Sequence, residues 1–123
     1  NTAAAVATLK TLQRPEVYAH ITKVSNLLYE GLETLFSEKG IPAVVTRNAS
    51  ASCTYFCENA PADVHDILEN HDFNFDVRYR KALIEQGIYQ IPIPCKQNSV
   101  SYSHTEADIY HTLEMVKEVL DTL

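Results

Sequence analysis

The 123 residues predict an α+β domain, a two-layer sandwich in which helices pack on one face of a small antiparallel sheet. Three observations carry this. An apolar stripe of helical period runs through Val17, Ile21, Val24, Leu28 and Leu35. The period changes at Ile41, where IPAVVTR and SCTYFCE read as successive strands with only a short turn between them. Helical periodicity then returns after Phe73 and again after Glu106. The resulting order is helix, long helix, strand, strand, helix, strand, strand, helix. Sequential strands joined by short turns pair antiparallel.

Taken in order, Asn1 to Leu12 (NTAAAVATLKTL) is alanine-rich and helical from its first residues. A start inside a helix, with no leader before it, reads as a piece of something larger; a processed or tagged small protein is the alternative. One long helix spans Pro15 to Gly40. Pro15 suits the first turn, Glu16 suits the positive helix end, and Lys39 with Gly40 make a stop. Ile41 to Arg47 reads as a strand with Pro42 near its start. Asn48, Ala49 and Ser50 form a turn or bulge. Ser52 to Glu58 is the second strand, with Cys53, Tyr55 and Cys57 on one face and Thr54 and Phe56 on the other.

Asn59 to Asp72 is polar, with a possible short helix over Asp63 to Glu69. His65 and His71 lack ligand spacing and read as solvated. Phe73 to Gln86 is a helix with Phe75, Tyr79, Leu83 and Ile84 inward, and Arg78, Arg80 and Lys81 on a solvated basic face. Gly87 ends it, because glycine accepts the left-handed conformation at little cost. Ile88, Tyr89 and Ile91 form a short strand. Pro92 and Pro94 fix the backbone in an extended, stiff form. Val100, Ser101 and Tyr102 resume strand character. Thr105, with Asp108 three residues on, opens the last helix as a variant capping box. That helix carries Ile109, Leu113, Val116, Leu120 and Leu123 on one stripe.

Composition narrows the function. Hydrophobic residues make up 46%, charged residues 21%, and the net charge is −6. Acids are spread along the chain, which argues against nucleic acid and anionic membrane as partners, since both need basic patches. No apolar run approaches the length of a membrane span, and residues 2–9 lack the basic leader of a signal peptide. Three cysteines, not densely placed, argue against a disulfide framework and favour a reducing, cytoplasmic setting. Cys53 and Cys57 share a strand face, but a soft-metal site needs four ligands and a second pair is missing. They read as buried thiols, and no metal site is expected. No catalytic constellation closes either. Ser101, Ser103 and His104 are neighbours without an acid to orient the histidine, and no glycine-rich phosphate loop exists.

Several ordered stretches take the reading further. Leu12 through Tyr18, GIPAVVTRNASASCTYFCE, ALIEQGIYQIP and VSYSHTEADIYHTLE follow one another at near-ungapped spacing. Together they resemble the C-terminal small domain of class III (type I fold) pyridoxal-phosphate-dependent aminotransferases, in the glutamate-1-semialdehyde aminomutase-like branch. Asn1-Thr2-Ala3-Ala4-Ala5 resembles the family's Asn-Pro-x-x-Ala helix start. Gly87-Ile88-Tyr89 with Pro92 resembles Gly-Val-Tyr-x-x-Pro. Ser101, His104, Thr105 and Asp108 resemble Ser-x-x-His-Thr-x-x-Asp.

The resemblance implies that residues 1–14 link to a large domain and that residues 15–123 form the small domain. The catalytic lysine and the ligands of pyridoxal 5'-phosphate would lie in that large domain of the same polypeptide, within a homodimeric parent. This chain would then be inactive by itself and hold no cofactor, covering the cofactor cleft and helping to shape the substrate pocket. It departs from the family in two loops that tend to face the active site. Cys95-Lys96-Gln97-Asn98-Ser99 stands where the family often has Phe-Glu-x-x-Phe, and Ala49-Ser50-Ala51 replaces Gly-Ser-Met after Arg47. Ser50, Lys96 and Ser99 are therefore the candidate pocket residues, and a related aminotransferase is favoured over a true aminomutase. The alternatives are the aminotransferase domain of a modular synthase and a non-enzymatic α+β binding or regulatory module.

Overall fold

The alanine-rich start forms α1 (Thr2–Leu12), which buries none of its residues. Residues 1–123 are all described by the structure, a computed structural model. Pro15 then opens α2 (Pro15–Glu38), where its missing N–H has no intrahelical partner to lose. The buried stripe of α2 is Val17, Val24, Ser25, Tyr29, Leu32 and Phe36. It is rotated from the expected one: Leu28 and Leu35 pack only at its margin. The aromatic rings of Tyr29 and Phe36 reach further into the centre than an aliphatic count anticipates.

The sheet is antiparallel with order β1-β2-β3, from β1 (Val44–Asn48) and β2 (Ala51–Tyr55) to the two-residue β3 (Asn98–Ser99). Between β2 and β3 lie α3 (Val64–Asn70) and α4 (Phe73–Glu85), and α5 (Glu106–Thr122) closes the chain. Val45 pairs with Thr54 and Asn48 with Ala51, while Ala51 pairs with Ser99. Val45 and Phe56 pack with Tyr29, Leu32 and Phe36 of α2, Tyr79 and Leu83 of α4, and Val116, Val119 and Leu120 of α5. This is the α+β arrangement expected. Gly31 lets α5 come close to α2, because a Cβ there would collide with the end of Leu113. Thr105 and Asp108 form the expected capping box: Thr105 N–H donates to Asp108 Oδ2 at 2.7 Å and Asp108 N–H to Thr105 Oγ1 at 3.2 Å.

Several expectations fail in detail. The first strand begins at Val44, not Ile41, and the second ends at Tyr55. Cys53 and Tyr55 are only half-buried, whereas Ser52 and Thr54 are buried on the face shared with Val45. The predicted strand over Ile88–Ile91 does not form, and strand pairing near Val100 shifts back to Asn98–Ser99. The reason lies in hydrogen bonding: the carbonyls of Ile91, Cys95 and Lys96 are taken by side chains instead of a neighbouring strand. His71 and Arg80 are not solvated. They are 6% and 1% exposed, in company with the fully buried Asp76.

Candidate functional site

The stretch between Gly87 and Glu106 is shaped by α4. Gly87, at φ 84, turns the chain out of that helix. The following leg, Ile88 to Ile91, and the returning leg, Gln97 to Val100, stand apart without pairing. Between them lies a cleft of about 370 Å³, floored by Leu28, Leu32, Ile109 and Val116. Its rim carries amides and hydroxyls, including Gln90, Asn98 and Ser99. Small-molecule sites have this size and this mixture of apolar walls with a few polar groups.

The three candidate pocket residues gather near this hairpin-like crossover but differ in role. Ser99 lines the cleft, is exposed, and accepts a hydrogen bond from Gln97 Nε2 at 3.2 Å. Ser50 sits in the β1–β2 turn beside the Ala51–Ser99 pair. Its carbonyl accepts from Tyr29 Oη at 2.6 Å and from Val100 N at 2.9 Å, so α2, the turn and the returning leg are tied at one point. Lys96 is exposed at the loop tip and makes no ion pair; its carbonyl points inward to Arg80.

Beneath the tip lies a buried polar cluster. Asp76 and Arg80 stand one turn apart on α4, and Arg80 Nε donates to Asp76 Oδ1 at 2.6 Å. Asp76 Oδ2 accepts from His71 Nε2 at 3.1 Å and from the Cys95 amide at 2.8 Å. His71 Nδ1 accepts from the Phe56 amide at 3.0 Å, which places the ring proton on Nε2, facing Asp76. The two remaining nitrogens of Arg80 donate to Ile91 O at 3.1 Å and Lys96 O at 3.3 Å. Cys53 Sγ donates to Cys95 O at 3.2 Å. Burial, with Asp76 adding to it, pushes the Cys95 thiol up to about 11; burial raises Cys53 as well.

Sequence reasoning passed over this cluster, although one signal was present. Asp76, Tyr79, Arg80 and Leu83 recur at three, four and seven residues, the stripe of a helix face, so the two charges share the side of the buried aromatic and leucine.

His71, Asp76 and Cys95 bring a nitrogen, a carboxylate oxygen and a thiol within 4.8 Å of one another. The set does not fit a metal ion. Nε2 of His71 already carries a proton aimed at Asp76, Asp76 is engaged by three donors, the thiol is held protonated, and Arg80 places a cation beside them. Nor do the residues of this chain fit pyridoxal phosphate. A Schiff-base lysine needs desolvation or a neighbouring cation, and Lys10, Lys23, Lys39, Lys81, Lys96 and Lys117 are all exposed. Ser101 and His104 do meet, with Ser101 Oγ 3.0 Å from His104 Nδ1. That nitrogen also accepts the Ser101 amide at 3.0 Å, and no carboxylate orients the ring. The pair closes a turn ahead of α5 and is no nucleophile with its base.

No protein-family model matches the chain. It is 33% identical over 121 residues to the glutamate-1-semialdehyde 2,1-aminomutase of Desulfitobacterium hafniense, covering 98% of this chain and 28% of that protein. With the protein of the same name from Desulforamulus reducens it is 34% identical over 113 residues, covering 90% of this chain and 26% of that one. The chain thus spans little more than a quarter of the length of these relatives. Among solved structures, a glutamate-1-semialdehyde aminomutase from Pseudomonas aeruginosa superposes with a TM-score of 0.78 at 16% identity, over 88% of this chain and 24% of that one. The internal aldimine form of the Sphingopyxis FumI protein gives 0.77 at 22% identity, over 97% and 26%. At these identities the structural likeness speaks for the fold.

Proposed function

We propose, from the premise that this chain is kin to the C-terminal small domain of class III, type I fold pyridoxal-phosphate-dependent aminotransferases in their glutamate-1-semialdehyde aminomutase-like branch, that it covers the cofactor cleft of such an enzyme and helps to shape its substrate pocket. The observation that carries this is the alignment of 98% of the chain with only 28% of an aminomutase, at 33% identity. In this reading residues 1–14 link to a large domain of the same polypeptide and residues 15–123 form the small domain. The large domain holds pyridoxal 5'-phosphate and its lysine, the parent is a cytoplasmic homodimer, and the 123-residue chain by itself is inactive.

The contribution of this chain is then recognition. Lys96 offers a mobile cation on a flexible stem at the loop tip, suited to a carboxylate or phosphate of the substrate. Ser99, on the rim of the cleft, and Ser50, in the β1–β2 turn, offer hydroxyls. The glutamate of the family's usual Phe-Glu-x-x-Phe loop is replaced by this lysine, so the preference of this loop tilts toward an anionic group.

The test is Lys96→Ala in the full-length polypeptide, assayed with acidic and neutral amino donors. We expect kcat/KM to fall selectively for the anionic donor, by ~1–3 kcal/mol for one charged hydrogen bond. Equal losses for both donors, or none, would return Lys96 to the role of a surface residue.

A further inference from the structure

We propose that His71, Asp76 and Arg80 are positioning residues, a buried clamp that fixes the Ile91–Lys96 turn and thereby sets where Lys96 and Ser99 stand. Only the use made of Lys96 and Ser99 rests on the functional reading above; the clamp stands on its own geometry.

Two legs joined by a short tip can pair as an antiparallel hairpin, whose backbone groups satisfy each other. Here the legs are apart and the cleft lies between them. Asn98 and Ser99 pair with β2 instead, and the carbonyls of Ile91 and Lys96 and the Cys95 amide are met from α4. The guanidinium bridges the two ends of the turn, one nitrogen on Ile91 O and another on Lys96 O, while its Nε stays on Asp76. A planar fork with donors in fixed directions can do this; an ammonium on a flexible stem presents one compact point of charge. Asp76 holds the tip through the Cys95 amide. His71 ties the carboxylate to the end of β2 through the Phe56 amide, so the clamp is anchored to the sheet as well as to the helix.

Cys95 shows what the clamp overcomes. It is a non-glycine residue at φ 56, a left-handed conformation that its Cβ disfavours. Its amide is held by Asp76 and its carbonyl by Cys53, so the strained residue is gripped on both sides. Such strain persists where the surroundings over-determine it, and it concentrates at sites that need one fixed geometry. The buried charges are compensated: every carboxylate oxygen of Asp76 and all three nitrogens of Arg80 have partners. The arrangement leaves the Lys96 backbone fixed while its side chain remains free.

The experiment uses the full-length polypeptide and three readouts. In the unmutated protein, hydrogen exchange at the Cys95 amide should be at least about a hundredfold slower than in a random chain; an unprotected amide overturns the clamp without any mutation. Arg80→Lys keeps a cation beside Asp76 but loses the fork. Asp76→Leu combined with Arg80→Met removes both buried charges together, the kind of change that buried ion pairs tolerate. For whichever of these retains native circular dichroism, trypsin should cut the Lys96–Gln97 bond at least about tenfold faster, and iodoacetamide should label Cys95 faster, as the turn opens locally. Cleavage and labelling at the unmutated rates would overturn the proposal. Kinetics separate it from the functional reading: a loosened turn should raise KM for an anionic donor several-fold with kcat little changed. Faster cleavage with unaltered kinetics keeps the clamp and removes the pocket role from Lys96.

Discussion

Ala49 shows how a single residue strains a turn. The β1–β2 connection is the tightest kind, two residues between the paired Asn48 and Ala51, and such turns need positive φ at their first position. Ala49 takes φ 51 there. Its Cβ makes that conformation costly, whereas glycine adopts it freely. Ala49→Gly is expected to stabilise the chain by about 1 kcal/mol, the left-handed penalty less the extra freedom glycine has when unfolded. Thermal denaturation should show a higher Tm, and an unchanged or lower Tm would mean the turn relaxes the alanine by other means. Asp76 and Arg80 make the opposite point. Charged residues are almost never fully buried unless paired, so the solvated reading of a basic face is the ordinary one. Partners from a loop eleven to nineteen residues along the chain turn it round here.

Helix α5 shows what an element owes to its first turn. The Thr105 amide, and then its hydroxyl, hold the Asp108 carboxyl below its usual range. The sign follows: a carboxylate whose folded pKa is depressed contributes fully above the unfolded value near ~3.9. That contribution is lost as pH falls through the lower folded value. Between pH 7 and 5 the cap should therefore be constant, and exchange protection in the first turn of α5 should drop only in the acid range below ~4. Asp108→Asn should abolish this acid step. Thr105→Ala, which removes the other half of the box, should lower stability by about 1 kcal/mol in urea denaturation at neutral pH. The elements were legible where local chemistry ends them: the capping box, the proline at the start of α2 and the glycine after α4. The third strand was not, because a strand needs a partner, and alternation in Ile88–Ile91 says nothing about whether one is within reach.

For the molecule as a whole, the outlier is α1. None of its residues is buried; Val6 is 45% exposed and Leu9 62%. An apolar helix face left open recruits a partner. The 123-residue chain by itself should show weak, concentration-dependent association in light scattering, and Leu9→Glu should return it to a monomer. A strict monomer at high concentration would show that the face needs no cover. No helix is long and apolar enough to cross a membrane, and the three cysteines are free thiols.

By itself the sequence determined the helix positions, the antiparallel pairing of the first two strands, the α+β class and the kinship, because each rests on local periodicity, caps, turns or the order of short motifs. Only the tertiary structure decided which stripe of α2 faces inward, that the legs of the crossover stay unpaired, and that His71, Asp76 and Arg80 are buried together beneath it. The reason is the same in each case. Whether a charge is solvated or paired, and whether a backbone amide meets a strand or a carboxylate, depends on groups distant in the chain, which only packing brings within hydrogen-bond reach.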